Sequence, residues 1–213
     1  MSKICPLFSG STGNSTYIEG ATGAVLADVG MSCKAVTDAL QYVGGDIEKI
    51  FAVVITHEHI DHIKGLKPFL NTARQAMLIS TAGTLEALEA AGKIPPHTKT
   101  LAIGEETLEA GGIGISRFET SHDAASPCGY CFFMPDGRKI SVCTDLGVMT
   151  DTVRGAVSGS DAVLIESNYD IDMLKKGPYP AELKMRIMSE CGHLSNNACA
   201  AELPELLKSG TTR

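Results

Sequence analysis

The chain has 213 residues, of which 44% are hydrophobic, and it carries a formal net charge of −7. That length and composition can bury a sizeable core, which excludes a disordered chain, and the negative charge argues against a general nucleic-acid binder with a basic face. The sequence has no apolar run of the ~20 residues that a membrane-spanning helix needs, and its seven scattered cysteines are typical of reduced thiols. We therefore expect a soluble, cytoplasmic protein with no membrane partner.

Apolar runs rich in β-branched residues alternate with helical patterns between frequent glycines, which indicates an α/β fold. In the first half, Ser32 and Thr81 are predicted to be the N-caps of helices, and strands are predicted at 15–19, 24–28 and 51–56. The second half is predicted to contain helices at 181–189 and 195–208, and strands at 100–103, 113–119, 129–134, 139–144 and 161–166. No linker or internal repeat is visible, so a single domain over 1–213 is expected.

The string His57-Glu58-His59-Ile60-Asp61-His62 carries the strongest chemical signal in the sequence. It holds three of the six histidines of the chain and stands directly after the apolar run 51–56. Neutral imidazoles and carboxylates are the ligands of divalent metals such as Zn²⁺. On an extended segment, His57 and His59 point the same way, and a turn into a helix brings Asp61 and His62 to an adjacent point. One short segment can therefore supply ligands to two neighbouring metal ions.

This pattern, His-x-His-x-Asp-His after a hydrophobic strand, resembles the signature of the metallo-β-lactamase-fold hydrolases. Three further landmarks of that family occur in the expected order. An acidic residue, Asp28, follows an early strand, a lone histidine, His122, follows a strand, and an aspartate, Asp145, ends a later strand. The resemblance thus covers nearly the whole chain. It implies an α/β fold, classed as α+β in some schemes, that is a four-layer αβ/βα sandwich.

The resemblance also implies a cofactor, namely two divalent metal ions, Zn²⁺ or Mn²⁺. One ion would be held by His57, His59 and His122. The other would be held by Asp61 and His62, and Asp145 would bridge both ions. Such a centre keeps a positive charge, so an anionic phosphodiester can be attracted to it despite the net charge of −7.

The sequence leaves the role of His193 open between two interpretations. The segment Gly192-His193-Leu194-Ser195 resembles the Gly-His-Ser element of ribonuclease Z-like members, where a histidine that is not a ligand pairs with a glutamate on an earlier strand, here Glu166. In those relatives the last metal ligand follows on a later strand. We therefore expect this chain either to be truncated at its C-terminus, without the last strand and helix of the fold, or to use His193 itself as that ligand.

Three segments together resemble the bacterial WalJ/YycJ group of these hydrolases, which is related to ribonucleases Z and J: the Ser/Gly loop at 7–15, the run 121–125 and the segment 192–196. The group is thought to cleave nucleic-acid phosphodiesters, so the resemblance implies DNA or RNA as the partner. In the Ser/Gly loop, Ser9, Ser11 and Asn14 are candidate donors to the substrate or to ligand carboxylates, and Asn168 is a further candidate for substrate binding. Downstream, four cations are either phosphate contacts or solvated surface charges: Lys175, Lys176, Lys184 and Arg186.

We therefore expect a binuclear metal-dependent hydrolase that cleaves phosphodiester bonds in nucleic acid, as a nuclease or exonuclease. Its catalytic candidates are Asp61, His193 and Glu166. A carboxylate at Glu166 would favour a protonated imidazole at His193, which can donate to the departing oxygen, and an alkoxide needs such a donor more than a thiolate does. The alternatives are a small-molecule hydrolase on the same metals, such as a cyclic phosphodiesterase, lactonase or thioesterase, and a metal-stabilised binding module without turnover. The sequence leaves open DNA or RNA and the oligomeric state.

Overall fold

The structure is a computed structural model that describes residues 2–208 and Gly210. The first half of the chain forms β1 (Lys3–Phe8), β2 (Ser15–Glu19), β3 (Ala24–Ala27), α1 (Cys33–Tyr42), a 3₁₀ turn (Ile47–Lys49), β4 (Ile50–Val54), α2 (Ile60–Ile63), α3 (Leu66–Thr72), β5 (Met77–Ser80), α4 (Ala82–Ala90) and β6 (Thr100–Ala102). The second half forms β7 (Leu108–Ala110), β8 (Ile113–Glu119), β9 (Cys128–Phe133), β10 (Lys139–Cys143), α5 (Asp151–Val157), β11 (Ala162–Ile165), α6 (Ile171–Lys176), α7 (Ala181–Ile187) and α8 (Asn196–Lys208). No helix in this described part of the chain is both long and apolar enough to cross a membrane.

The first sheet has six strands in the order β1-β2-β3-β4-β5-β6. Strands β1 to β3 pair antiparallel, whereas β3, β4, β5 and β6 run parallel to one another. Helices α1, α3 and α4 bury apolar side chains against this sheet in one core that includes Leu26, Val53, Leu40, Phe69 and Leu88. Because the parallel strands end at the same edge, the residues that follow β3 and β4 lie close together.

The second sheet has five strands in the order β11-β10-β9-β8-β7, with β7 and β8 antiparallel and β10 and β11 parallel. Helices α5 and α8 bury apolar side chains in a core with residues of β9 and β10, including Val153, Val157, Leu206, Cys131 and Cys143. The parallel pairing of β10 and β11 again brings the segments after the two strands to one edge of the sheet.

The chain divides into two compact units, each described here by itself. Unit 1 consists of Met1–Arg117, Ala124–Ser126 and Phe132–Arg138, and unit 2 consists of Phe118–Asp123, Pro127–Cys131 and Lys139–Arg213. The expectation of a single domain stays a prediction.

The structure confirms the alternation of strands and helices that the sequence predicts. Ser32 and Thr81 cap α1 and α4, because their side chains accept hydrogen bonds from the backbone N–H groups of Ala35 and Thr84. The predicted strands and helices are present, and their ends move by one or two residues. Several elements were not predicted, among them β1, which contains Pro6 and lies at the edge of its sheet, where prolines are tolerated.

Three backbone segments of unit 1 meet at Gly30. Its N–H donates to the carbonyl of Asn14 at 2.8 Å, and a Cβ atom at this position would lie 1.7 Å from the carbonyl oxygen of Asp61. Only glycine allows the backbones to approach so closely. The approach fixes the start of α2, which contains Asp61, against the loop that contains Asn14.

We predict that Gly30→Ala lowers the free energy of unfolding by at least the ~1–3 kcal/mol typical of overpacking, because two backbone segments must separate to admit the methyl group. Urea titration followed by circular dichroism measures this loss. The matched control is Gly155→Ala inside α5, where an added Cβ meets no atom within 4 Å. That variant should gain about 0.5–1 kcal/mol from helix propensity, and equal effects of the two variants would contradict the packing account.

Candidate metal centre

A buried carboxylate, that of Asp28, organises the ligand-rich edge of unit 1. Asp28 follows β3 in a left-handed backbone conformation with φ of 61°, which an aspartate tolerates better than most residues. Its Oδ1 accepts from the backbone N–H of Thr56 at 2.9 Å, and its Oδ2 accepts from the Thr56 hydroxyl at 2.9 Å. The same Oδ2 lies 2.8 Å from Nδ1 of His62. Asp28 thus ties the end of β3 to the segment that carries the histidines.

The contact with Asp28 leaves the Nε2 lone pair of His62 available to a metal ion. Since a carboxylate only accepts hydrogen bonds, Nδ1 of His62 carries the proton and Nε2 carries the lone pair. Carboxylate–histidine pairs of this kind orient the ligand histidines of metal sites and raise their basicity.

The three imidazoles of the predicted string lie side by side in unit 1. The ring centroids of His57 and His59 are 4.6 Å apart, and those of His57 and His62 are 4.1 Å apart. His57 and His62 are buried, and His59 precedes the short helix α2, whose first turn contains Asp61. The predicted turn after His59 therefore exists, and it places Asp61 Oδ2 3.7 Å from Nε2 of His62.

Asn14 lies against this group of candidate ligands. Its Nδ2 atom is 3.1 Å from Nε2 of His62 and 3.4 Å from Oδ2 of Asp61. Two hydrogen bonds with Gly10 define the orientation of the Asn14 amide. Its Oδ1 accepts from the Gly10 N–H at 3.0 Å, and its Nδ2 donates to the Gly10 carbonyl at 3.2 Å. Asn14 is a candidate donor to the substrate or to ligand carboxylates, and its contact with Asp61 favours the second role. Ser9 and Ser11 are exposed on the same loop.

Unit 2 contributes a second group of possible ligands. Donor atoms of His122, Asp145 and His193 all lie within 4.8 Å of one another. His122 follows β8, and its Nδ1 contacts the carbonyl of Gly192 at 2.9 Å, so Nδ1 is the protonated nitrogen and Nε2 has the form that binds a metal. Burial lowers the pKa of His122, although Asp145 acts in the opposite direction, and the lowered pKa favours the neutral imidazole. Asp145 follows β10 and, like Asp28, has a left-handed backbone, with φ of 55°.

Glu166 and His193 form the predicted pair. Nδ1 of His193 lies 2.6 Å from Oε1 of Glu166 and 3.4 Å from Oδ1 of Asp145. The other carboxylate oxygen of Glu166 accepts from the backbone N–H groups of Leu146 and Leu194, each at 3.1 Å. Asn168, predicted to bind substrate, donates to Glu166 at 3.0 Å, so it supports this carboxylate.

The donors of each unit fit a divalent metal. Neutral imidazole nitrogens and carboxylate oxygens suit Zn²⁺ and Mn²⁺, and bonds of about 2.0–2.2 Å around a tetrahedral ion place its donors about 3.3–3.6 Å apart. The donor atoms of His122, Asp145 and His193 lie within 4.8 Å of one another, so modest side-chain movements would bring them to that spacing. Of the residues that hold the candidate ligands in place, Asp28 is predicted from the sequence only as a landmark of the resemblance, whereas no pattern in the sequence distinguishes Thr56.

Comparisons with known proteins place these features in context. The sequence model of the family described as "Beta-lactamase superfamily domain" matches residues 25–211. The chain is 34% identical to exodeoxyribonuclease YycJ of Bacillus anthracis, over 96% of this chain and 77% of that protein. It is 37% identical to exodeoxyribonuclease WalJ of Streptococcus pneumoniae, over 99% of this chain and 79% of that protein. The metallo-β-lactamase-fold protein YhfI of Bacillus subtilis has 17% identity and a TM-score of 0.75, and the match covers 100% of this chain and 84% of YhfI. The predicted fold class is thereby confirmed.

We predict that Asp28→Asn weakens the binding of Zn²⁺ by about 10–100-fold, because the amide can turn its NH₂ group towards Nδ1 of His62 and no longer favours the metal-binding form. Competition with a chromophoric chelator measures the affinity. Asp38→Asn is the matched control, since Asp38 is an exposed aspartate paired with Lys34 on α1. Equal affinities of Asp28→Asn and the unchanged protein would contradict the role assigned to Asp28.

Proposed function

Since the chain belongs to the β-lactamase superfamily, we propose that it is a metal-dependent nuclease that hydrolyses phosphodiester bonds in nucleic acid. The observation that carries this proposal is the 2.6 Å contact between Glu166 and His193, beside the possible ligands His122 and Asp145. Such a pair supplies a proton to a poor leaving group. The names of the YycJ and WalJ relatives, exodeoxyribonucleases, support DNA as the substrate.

We further propose that the chain holds two divalent ions, Zn²⁺ or Mn²⁺. Six residues would hold them: His57, His59, Asp61, His62, His122 and Asp145. The chemistry of the donors and their grouping within each unit support this assignment. When bound, divalent ions supply Lewis acidity that polarises a phosphoryl group and acidifies water.

Three side chains, those of Asp61, His193 and Glu166, then carry out the remaining steps of the reaction. The carboxylate of Asp61, at the start of α2, orients the attacking water and accepts a hydrogen bond from it. As the bond between phosphorus and the departing oxygen breaks, His193 donates its Nε2 proton to that oxygen, so the product leaves as an alcohol. Glu166 faces Nδ1 of the same ring and stabilises the imidazolium before the transfer. An alkoxide needs this proton more than the leaving group of a thioester does.

The proposed location is the cytoplasm. The seven cysteines all lie within the described residues, and no disulfide bond forms among them. Reduced thiols are the usual state of cysteines in that compartment, which supports the proposal.

We predict that His193→Ala leaves the metal content unchanged and lowers turnover of DNA by about 10²–10⁴-fold, the range for a lost general acid. Elemental analysis and kcat measured on the same preparation test both statements. Glu166→Gln should lower turnover in the same direction. Loss of an ion in His193→Ala would instead identify His193 as a metal ligand, and this would contradict its role as a proton donor.

The substrate class is tested by comparing kcat/KM on one metal-loaded preparation, with Asp61→Ala as the blank. The substrates are single- and double-stranded DNA and RNA, bis(p-nitrophenyl) phosphate, an N-acyl lactone and a glutathione thioester. We expect metal-dependent cleavage of DNA and of the generic phosphodiester. Faster turnover of the lactone or thioester would overturn the phosphodiesterase proposal, and cleavage of bis(p-nitrophenyl) phosphate without any nucleic-acid cleavage would indicate a small phosphodiester as the substrate.

A further inference from the structure

The segment 171–188, which contains all of α6 and α7 and is called the α6–α7 segment below, differs in charge from the rest of the chain. It contains four cations and two acids, and its net charge is therefore +2, whereas the whole chain carries −7. The remaining residues thus sum to −9. A basic segment in an acidic protein attracts anions locally, while the rest of the surface repels them.

The same segment exposes large apolar side chains. Met173, Tyr179 and Met185 keep 76%, 52% and 62% of their surface accessible, and Met188 is also exposed. These four are among eleven exposed large hydrophobic residues in the described chain, yet they fall within sixteen consecutive positions. Helix α7 has no buried residue at all. Such a cluster marks an interaction surface, whereas single exposed apolar residues are ordinary.

The α6–α7 segment is anchored to the proposed catalytic residues within unit 2. The carbonyl of Ile187 accepts from the backbone N–H of His193 at 2.9 Å. Arg186 donates from Nε to Oδ2 of Asp123 at 2.5 Å, and Asp123 directly follows His122. Lys184 donates to the carbonyl of Lys175 at 2.8 Å and thereby ties α7 to α6. A ligand on this segment is therefore held at a fixed position relative to His122 and His193.

From these observations we infer that the α6–α7 segment binds a single-stranded stretch of the nucleic-acid substrate next to the scissile phosphate. Lys175 and Lys176 are exposed at the end of α6, and they contact phosphates. Tyr179, between Pro178 and Pro180, stacks on a base, and the exposed methionines contact its neighbours. A base can offer its face to Tyr179 only when it is unstacked, so the surface prefers single strands to duplex. This inference rests on the proposed nuclease function and adds the position and strandedness of the substrate.

The first experiment measures the affinity of the metal-loaded full chain for a fluorescein-labelled phosphorothioate oligonucleotide, which resists cleavage, by fluorescence anisotropy over a range of salt concentrations. The test variant is Lys175→Gln with Lys176→Gln. The control is Lys34→Gln with Lys208→Gln, which removes two exposed lysines outside the segment. Metal content and thermal unfolding confirm that both variants fold.

We expect the test variant to reduce the slope of log affinity against log salt by about 1.4, and hence to lose about 25-fold in affinity at about 0.1 M salt relative to the unchanged protein. The control pair should lose far less. Equal losses in the two variants would mean that overall charge decides binding, and this result would overturn the inference.

The second experiment uses Tyr179→Ala and compares single-stranded with duplex DNA. Loss of one stacked base should weaken single-strand binding by roughly 5–150-fold and leave duplex binding nearly unchanged. An equal loss on both substrates, or no loss on either, would overturn the base-stacking role. If the unchanged protein cleaves DNA and the segment variants bind it normally, only this inference fails. If it hydrolyses bis(p-nitrophenyl) phosphate but neither binds nor cleaves nucleic acid, the proposed function fails as well.

Discussion

The Asp28 carboxylate joins the ends of two parallel strands, because it follows β3 and accepts both hydrogen bonds that Thr56 offers beyond the end of β4. A buried carboxylate without such partners would be strongly destabilising, so the position of Thr56 is set by the need to satisfy Asp28. The next residue after Thr56 is His57, and the third partner of the carboxylate is His62. The placement and proton state of the imidazoles in unit 1 therefore depend on one buried charge.

Unit 2 uses the same arrangement with different residues. Glu166 follows β11 and is surrounded by donors, since it accepts from the backbone of Leu146 and Leu194 and contacts His193. Its carboxylate holds the loop after Asp145 and the loop of His193 in one position. Asp28 and Asp145 are also the two non-glycine residues with positive φ in the described chain, and each follows a strand at such an edge. Backbone strain of this kind, on the order of 1–3 kcal/mol, concentrates at functional sites.

Sequence reasoning was most successful where a local pattern decides the structure. Ser32 and Thr81 were predicted as helix caps because their hydroxyls act within one turn, and the pairing of Glu166 with His193 was predicted from the resemblance. The role of Asn14 depends on a contact that no local pattern contains. Asn168 contacts Glu166 only two residues away, after the end of β11, whereas Asn14 meets Asp61 across 47 positions of the chain. Likewise, Gly30 is required by the backbone of two distant segments.

The central claim is the proposal that the histidine and aspartate side chains named above hold two divalent ions. Electron paramagnetic resonance of the protein loaded with Mn²⁺ tests it most directly, because two ions held in common by Asp145 would be coupled and would give a spectrum distinct from that of isolated Mn²⁺. We expect about two ions per chain and a coupled spectrum, which Asp145→Ala converts to that of isolated ions. A single ion per chain, or two ions that give the isolated spectrum in the unchanged protein, would contradict the account.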